Sequence, residues 1–219
     1  MKETNIPGVY RDKNKILTIN PEECKGYKVY NEKIYKHKGL ELRSWNPYRS
    51  KLAAAFLNGF KFKLETESNI LYLGAATGTT VSHISDINKD GIIYAVENSP
   101  IAVKKLIKLC EKRNNIILIY DDANHPERYS TIVPNVDLIY QDISQRNQAE
   151  IFSSNIKRYL KNGGYGIIMV KARSIDISLK PKKAYDLVSS YLEKKGFNVE
   201  EKVELSPYVK DHMAILISN

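Results

Sequence analysis

From residue 69 onward, seven short apolar runs alternate with helix-like segments, and this alternation restricts the fold more than any other feature of the chain. The runs are NILYLG (69–74), GIIYAVE (91–97), NIILIYD (115–121), VDLIYQD (136–142), GGYGIIMVKA (163–172), FNVEEKVEL (197–205) and HMAILIS (212–218). Between them TVSHISDI, SPIAVKKLIKLCEKR, RNQAEIFSSNIKRYLK and KPKKAYDLVSSYLEKKG carry apolar residues at helical spacing. Runs such as IIYAV and GIIMV are apolar at consecutive positions, so they need cover on both faces, as strands of a helix-flanked sheet do. The expectation is an α/β, doubly wound, Rossmann-like sheet of seven strands, with the last pair antiparallel.

Upstream the pattern differs. VYRDKNKILTI, YKVYNEKIY and LELRSW alternate apolar and polar positions and read as strands of a small antiparallel β unit. The expected division is residues 1–45 for that unit and 46–219 for the α/β domain. NPYRSKLAAAFLNGF (46–60) reads as a helix, with Asn46 as cap, Pro47 in the first turn and Leu52, Ala55, Phe56 and Gly59 on one face.

Charge and cysteine usage bound the partners and the compartment. Residues 1–69 hold 14 Lys and Arg against 8 Asp and Glu, and the remainder 20 against 17, so the basic excess is concentrated upstream. Such an excess suits a polyanion such as RNA or DNA, and equally a soluble, Lys-rich surface. Cys24 and Cys110 lie far apart without His or Cys at ligand spacing, which points to reduced thiols rather than a disulfide or zinc site. No run reaches the length of a membrane span and MKETNIPGVYRDKN lacks a signal-peptide core, so the expected location is cytoplasmic.

Four strand ends supply polar groups in succession. GAATGTT follows the first, where Gly74 allows a tight turn and Gly78 a close backbone approach. A helix starting near Thr79 presents free N–H groups to an anion, and without a Walker lysine a triphosphate does not fit. Glu97 ends the second strand, where an acid accepts from ribose hydroxyls; by position alone it is also readable as a surface acid. After the third strand Asp122 can accept from an adenine amino group beside the Ala123 N–H. Asp142 and Gln145 follow the fourth. A loop followed by three acids suits adenosine with an amino-acid tail, hence S-adenosyl-L-methionine rather than NAD.

YLGAATGTTVSHISD, GIIYAVENS, DDANHPERY, VDLIYQDISQRNQAEI, GGYGIIMVKARSID and LSPYVKDHMAIL, with RSWNPYRSKLAAA upstream, resemble the fibrillarin family from about residue 8 to 217. The compact archaeal form is the nearer likeness, since no Gly/Arg-rich extension is present. The resemblance implies a seven-stranded S-adenosylmethionine-dependent methyltransferase that places 2′-O-methyl groups on rRNA and sometimes tRNA. It also implies a Nop5-type scaffold protein, an L7Ae-type protein and a box C/D guide RNA as partners. The cofactor positions it implies are Gly74, Ala75, Thr79, Thr80, Glu97, Asn98, Asp122, Ala123, Asp142, Ile143, Ser144 and Gln145. Thr77 stands where members mostly carry Ser, and Asn98 where they mostly carry Phe; the loss of an aromatic surface at Asn98 implies weaker cofactor affinity.

Transfer of a methyl group to a ribose hydroxyl calls for in-line positioning and for a proton acceptor. Asp142, Lys171, His212 and Lys51 could supply these, and the resemblance places them as the family's Lys-Asp-Lys-His set. Lys171 is the candidate for orienting and deprotonating the 2′-OH; if charged, it would instead position the hydroxyl and stabilise an alkoxide. By position alone Lys171 reads as a solvated strand-end lysine, His212 as a partner of Asp211, and Lys51 as a phosphate contact. His83 reads as a helix residue and His125 as part of a turn. Arg43, Trp45, Arg49 and Lys51 suggest a ring among positive charges for RNA, with Arg173 and the lysines of LKPKK (179–183) on the other flank. A protein methyltransferase and a non-catalytic RNA-protein scaffold subunit stay open as alternatives, because the fold does not fix the acceptor.

Overall fold

All seven apolar runs form strands in the computed structural model, which describes residues 1–62 and 64–219. They are β6 (Ile70–Leu73), β7 (Ile93–Glu97), β8 (Ile116–Tyr120), β9 (Val136–Gln141), β10 (Leu160–Lys171), β11 (Asn198–Glu204) and β12 (His212–Ser218). Their order across the sheet is β11-β12-β10-β9-β6-β7-β8. Strands β8, β7, β6, β9 and β10 run parallel. Strand β12 lies antiparallel to both β10 and β11, as expected for the last pair. The order reverses between β6 and β9, so the crevice beyond their carboxyl ends is the switch point where such sheets hold ligands.

Successive residues of one strand enter two different cores. Ile70, Tyr72, Leu138, Tyr140, Ile167 and Met169 pack on one side. Leu71, Leu73, Ile139, Ile168 and Val170 pack on the other. The first side is covered by α1 (Lys51–Leu57), α2 (Thr79–Ile87) and α3 (Pro100–Cys110). The second is covered by α4 (Gln148–Tyr159) and α6 (Pro181–Lys194); the short α5 (Ala172–Ile175) follows β10. This two-sided burial is the reason the strand runs lack polar alternation.

A five-stranded antiparallel sheet precedes this domain, in the order β1-β2-β3-β5-β4. Its strands are β1 (Lys2–Glu3), β2 (Val9–Asp12), β3 (Lys15–Ile19), β4 (Ile34–His37) and β5 (Leu40–Trp45). YKVYNEKIY is strand only from Ile34 onward. The Glu32 carboxylate accepts the N–H groups of Val29 and Tyr30 at 3.1 and 2.8 Å, and this closes a turn in place of a ladder. Val9, Ile16 and Trp45 of this sheet, with Ile6 from the connection between β1 and β2, pack into the same core as α1 and α2.

The helix expected from Asn46 begins at Lys51 instead. Asn46 builds a turn: its side-chain oxygen accepts the Tyr48 N–H at 2.9 Å, and its carbonyl accepts the N–H groups of Arg49 and Ser50 at 3.0 Å each. Ser50 is the cap, accepting the Ala53 N–H at 3.4 Å. A short Asn side chain satisfies its own turn first, and that competition moved the start by one turn.

Candidate active site

The carboxyl ends of β6, β7, β8 and β9 surround one open cleft of about 260 Å³. Of the positions expected to hold a cofactor, Gly74, Glu97, Asn98, Asp122, Ala123, Asp142, Ile143, Ser144 and Gln145 line it. Ala75, Thr79 and Thr80 do not. Ala75 is buried, Thr79 opens α2, and the Thr80 hydroxyl points inward, donating to Ser50 Oγ at 3.0 Å. Ala76, Val96 and Asp121 also line the cleft, with no local pattern that marks them.

Each lining group has a structural cause. Gly74 sits at φ +84°, and a Cβ there would lie 2.5 Å from the Asp142 carbonyl oxygen, so only glycine lets β6 pass so close to the end of β9. Ala76 also adopts a left-handed backbone, φ +49°, and donates its N–H to Glu97 Oε2 at 2.7 Å. The other Glu97 oxygen accepts the Ser99 N–H at 2.7 Å. Glu97 is therefore fixed by both flanking loops while keeping lone pairs for hydroxyl donors. Asp122 Oδ1 accepts both the backbone and the side-chain amide of Asn124 at 2.9 Å. The Asn124 N–H, more than any other group, holds the Asp122 carboxyl below its ordinary value, so it remains an acceptor. Asn124 also donates to Gln145 Oε1 at 2.7 Å and accepts from Asn147 at 2.8 Å, tying the third strand end to the fourth. Sequence reasoning missed Asn124, because an Asn in a turn carries no mark of such bridging.

At the rim the four catalytic candidates gather from distant parts of the chain. Lys51 Nζ meets Asp142 Oδ1 at 2.6 Å, with side chains 23% and 17% exposed. Lys171 and His212 are direct cross-strand partners on β10 and β12, so both side chains leave the same face. Lys171 Nζ contacts Ser144 Oγ at 3.4 Å. Gln148, also unmarked in the sequence, clamps the Lys171 backbone: its Oε1 accepts the N–H at 3.0 Å and its amide donates to the carbonyl at 3.3 Å. His212 does not pair with Asp211, which is held by Arg173 at 2.9 Å. Its Nδ1–H donates to the Lys210 carbonyl at 2.6 Å, which leaves Nε2 as an acceptor. Burial pushes the His212 imidazole below its ordinary value, and Lys51 and Lys171 push the same way against Lys210 O and Asp142. His212 is thus neutral near pH 7.

Ser50 joins the two halves of this site. Its Oγ receives Trp45 Nε1–H at 2.8 Å and the Thr80 hydroxyl at 3.0 Å, and it caps the helix whose first residue is Lys51. The helix after the glycine loop and the lysine at the rim therefore share one buried anchor.

The profile of the fibrillarin family matches residues 1–219, the whole chain. The chain belongs to the fibrillarin family. It is 47% identical over 213 residues to the fibrillarin-like rRNA/tRNA 2′-O-methyltransferase of Methanothermobacter thermautotrophicus, covering 97% of this chain and 94% of that protein. The crystal structure of Aeropyrum pernix fibrillarin with natively bound S-adenosyl-L-methionine superposes with a TM-score of 0.85 at 40% identity, covering 93% and 88% of the two chains. Fibrillarin from a fibrillarin/Nop5p complex superposes with a TM-score of 0.91 at 43% identity, covering 99% and 100%.

The expected RNA-facing cluster of Arg43, Trp45, Arg49 and Lys51 is not one surface. Arg43 and Trp45 are fully buried. The Arg43 guanidinium bonds Glu32, Asp86 and Ser82, and the Trp45 ring stacks on His83 at 5.1 Å. Alternation along β5 turns both inward. Arg49 is exposed, over the Tyr30 ring at 5.5 Å. His83 is buried in α2, and His125 lies in the turn before Pro126 with its ring 3.2 Å from Glu127. The lysines of LKPKK form the start of α6, where Pro181 opens the helix.

S-adenosylmethionine suits this donor set. A fixed carboxylate at Glu97 matches vicinal ribose hydroxyls, Asp122 beside Ala123 matches the adenine edge, and Asp142 at the rim matches a positive sulfonium. Among the described residues no helix is long and apolar enough to cross a membrane.

Proposed function

We propose that this fibrillarin is an S-adenosylmethionine-dependent RNA ribose 2′-O-methyltransferase that works on rRNA or tRNA within a guided ribonucleoprotein. The observation that carries the reading is the Lys51–Asp142 pair at 2.6 Å, closed across 91 residues of chain at the mouth of the cleft that Glu97 and Asp122 also line. The cofactor, when bound, supplies an electrophilic methyl group on sulfur. Glu97 holds the ribose, Asp122 and Ala123 the adenine, and Gly74, Asn98, Ile143, Ser144 and Gln145 complete the walls. Ala75, Thr79 and Thr80 shape the loop from beneath. Asp142, oriented by Lys51, faces the positive charge. Lys171, as the free amine, receives the target 2′-OH, orients it toward the methyl carbon and takes its proton to become the ammonium. The new bond forms between O2′ and the methyl carbon as the carbon–sulfur bond breaks. His212, being neutral, adds no cation opposite the sulfonium and leaves Nε2 free to accept from the acceptor ribose or from Lys171.

The partners follow from the family: a Nop5-type scaffold, an L7Ae-type protein and a box C/D guide RNA, in the cytoplasm. The test is transfer of labelled methyl to a target RNA, by the chain alone and by the complete assembly. A matched target with one 2′-deoxy nucleotide at the guided position serves as control. Label that requires the assembly and vanishes with the deoxy target is expected. Label on protein, or on RNA regardless of the deoxy substitution, would reassign the acceptor.

A further inference from the structure

We propose that Gln148 is a positioning residue for methyl transfer: its side chain sets the backbone of Lys171 against the loop that walls the cofactor cleft. The proposal rests on the ribose-methylation reading above, in which Lys171 takes the proton, and adds what fixes that lysine relative to the methyl group.

The sheet creates the need for such a residue. Strand β9 pairs with β10 in parallel only as far as Gln141, opposite Ile168. There β9 ends, and Asp142, Ile143, Ser144 and Gln145 wall the cleft instead. Strand β10 runs on to Lys171. On that side the Lys171 N–H and C=O have no strand to pair with, and a backbone group left unpaired away from water is costly. Gln148, the first residue of α4, fills the gap. Its side chain does what a further residue of β9 would do: Oε1 accepts the Lys171 N–H at 3.0 Å, and Nε2 donates to the Lys171 carbonyl at 3.3 Å.

The clamp also reaches the cofactor side. Gln148 is fully buried, and its Nε2 donates to the Gln145 carbonyl at 3.1 Å as well, so one amide joins the lysine to the cleft wall. Its own carbonyl accepts Gln141 Nε2 at 2.7 Å, which fixes the start of α4 on the end of β9. From Gln145 the bonds continue through the Asn124 amide to Asp122. The tip of Lys171 meets the same loop, with Nζ 3.4 Å from Ser144 Oγ. The lysine is thus tied, at its backbone and at its amine, to the segment that walls the cofactor cleft. Gln148 is not among the residues lining that cleft, so it acts through Lys171 and not on the cofactor. Being uncharged, the amide holds Lys171 without adding a charge that would alter its proton affinity. In-line transfer tolerates little displacement: an error of about 1 Å in the attacking group can cost about 10²-fold.

The test uses the complete assembly and single-turnover methyl transfer at saturating cofactor and target. Gln148→Met, of similar length but without the amide, is expected to slow transfer by about 10- to 100-fold. Gln148→Asn keeps an amide that is too short for the span; it disturbs the core less and should slow transfer by about tenfold. Dissociation constants for cofactor and target should stay within about twofold of the wild type in both variants. In a Lys171→Ala background either substitution should change the remaining rate by less than about twofold, because Gln148 acts through that lysine. A second measurement needs no variant: the Lys171 amide proton of the wild type should exchange with solvent as slowly as those inside the β9–β10 ladder. Equal losses in the wild-type and Lys171→Ala backgrounds would overturn the proposal and make Gln148 a general support of the fold. So would a wild-type rate in folded Gln148→Met, a weakened cofactor affinity that accounts for the loss, or rapid exchange at the Lys171 amide. Failure of the ribose reading itself would look different: wild-type label would persist on the 2′-deoxy target.

Discussion

Two aspartates, one held by two arginines and one by a lysine from far along the chain, occupy opposite situations in this protein. Asp86 lies on α2 between Arg43 at 2.8 Å and Arg113 at 2.5 Å, with all three side chains 1% exposed or less. Thr18 donates to it as well, and Arg43 continues to Glu32 at 2.7 Å. Asp142 has one lysine at 2.6 Å, is partly open, and borders a cleft. The first cluster is sealed from solvent and ties the N-terminal sheet to the helix after the glycine loop. The second keeps acceptor capacity facing outward. Similar ionic chemistry serves cohesion where both signs are buried together, although Arg113 Nε and Nη2 there stay without a hydrogen-bond partner, and chemistry where a carboxylate borders an open cleft.

The largest effect expected from breaking the closed cluster is on folding. Arg43→Ala removes one charge and strands Asp86 and Glu32 in the core, at a cost of about 3–5 kcal/mol in urea unfolding. Loss of RNA methylation with wild-type stability would instead return Arg43 to the RNA surface. At the open site the expected effect is on binding. Glu97→Gln should raise the cofactor dissociation constant roughly 10- to 100-fold, the value of a charged hydrogen bond, with little change in turnover at saturation. An unchanged constant by calorimetry would remove Glu97 from the ribose.

A smaller effect separates the clusters by pH. Burial, then Arg43 and Arg113, push the His83 imidazole well below its ordinary value of 6.5. The Thr18 hydroxyl gives its hydrogen to Asp86, so His83 Nδ1 carries a ring proton toward Thr18 at 2.7 Å, while Nε2 lies 2.7 Å from the Tyr30 oxygen, whose own hydrogen goes to the Ser44 carbonyl at 2.8 Å. In the unfolded chain the ring protonates near 6.5, so the unfolded state binds more protons below that pH. Stability should therefore fall on acidification below about pH 6.5, with His83 contributing about 1.4 kcal/mol per pH unit. Unfolding of the wild type and of His83→Gln at a series of pH values isolates that slope. Equal slopes would mean that His83 is charged beside Asp86.

These clusters also mark the limit of what the sequence discloses. The seven strands and the acids at their ends were legible because two-sided burial and strand-end position leave local signatures, as in LYLG before the loop and IYAVE ending at Glu97. Arg43 was misread because its partners Glu32 and Asp86 are 11 and 43 residues away, and nothing in LELRSW shows which residues face inward against them. Ser50 was missed as a cap because Asn46 offers the stronger local signal and uses it on its own turn. Asn124 and Gln148 were missed because they act by bridging strand ends, a property of the assembled sheet.

We place methyl transfer at the open rim of Asp142, Lys51, Lys171 and His212. The most direct measurement is single-turnover methylation of a guided target by Lys171→Ala in the complete assembly at saturating cofactor. The expected rate is lower by about 10²- to 10⁴-fold, with the unfolding midpoint and the cofactor dissociation constant of the wild type. A near-wild-type rate in that folded, cofactor-binding variant would contradict it and move the chemistry away from the end of β10.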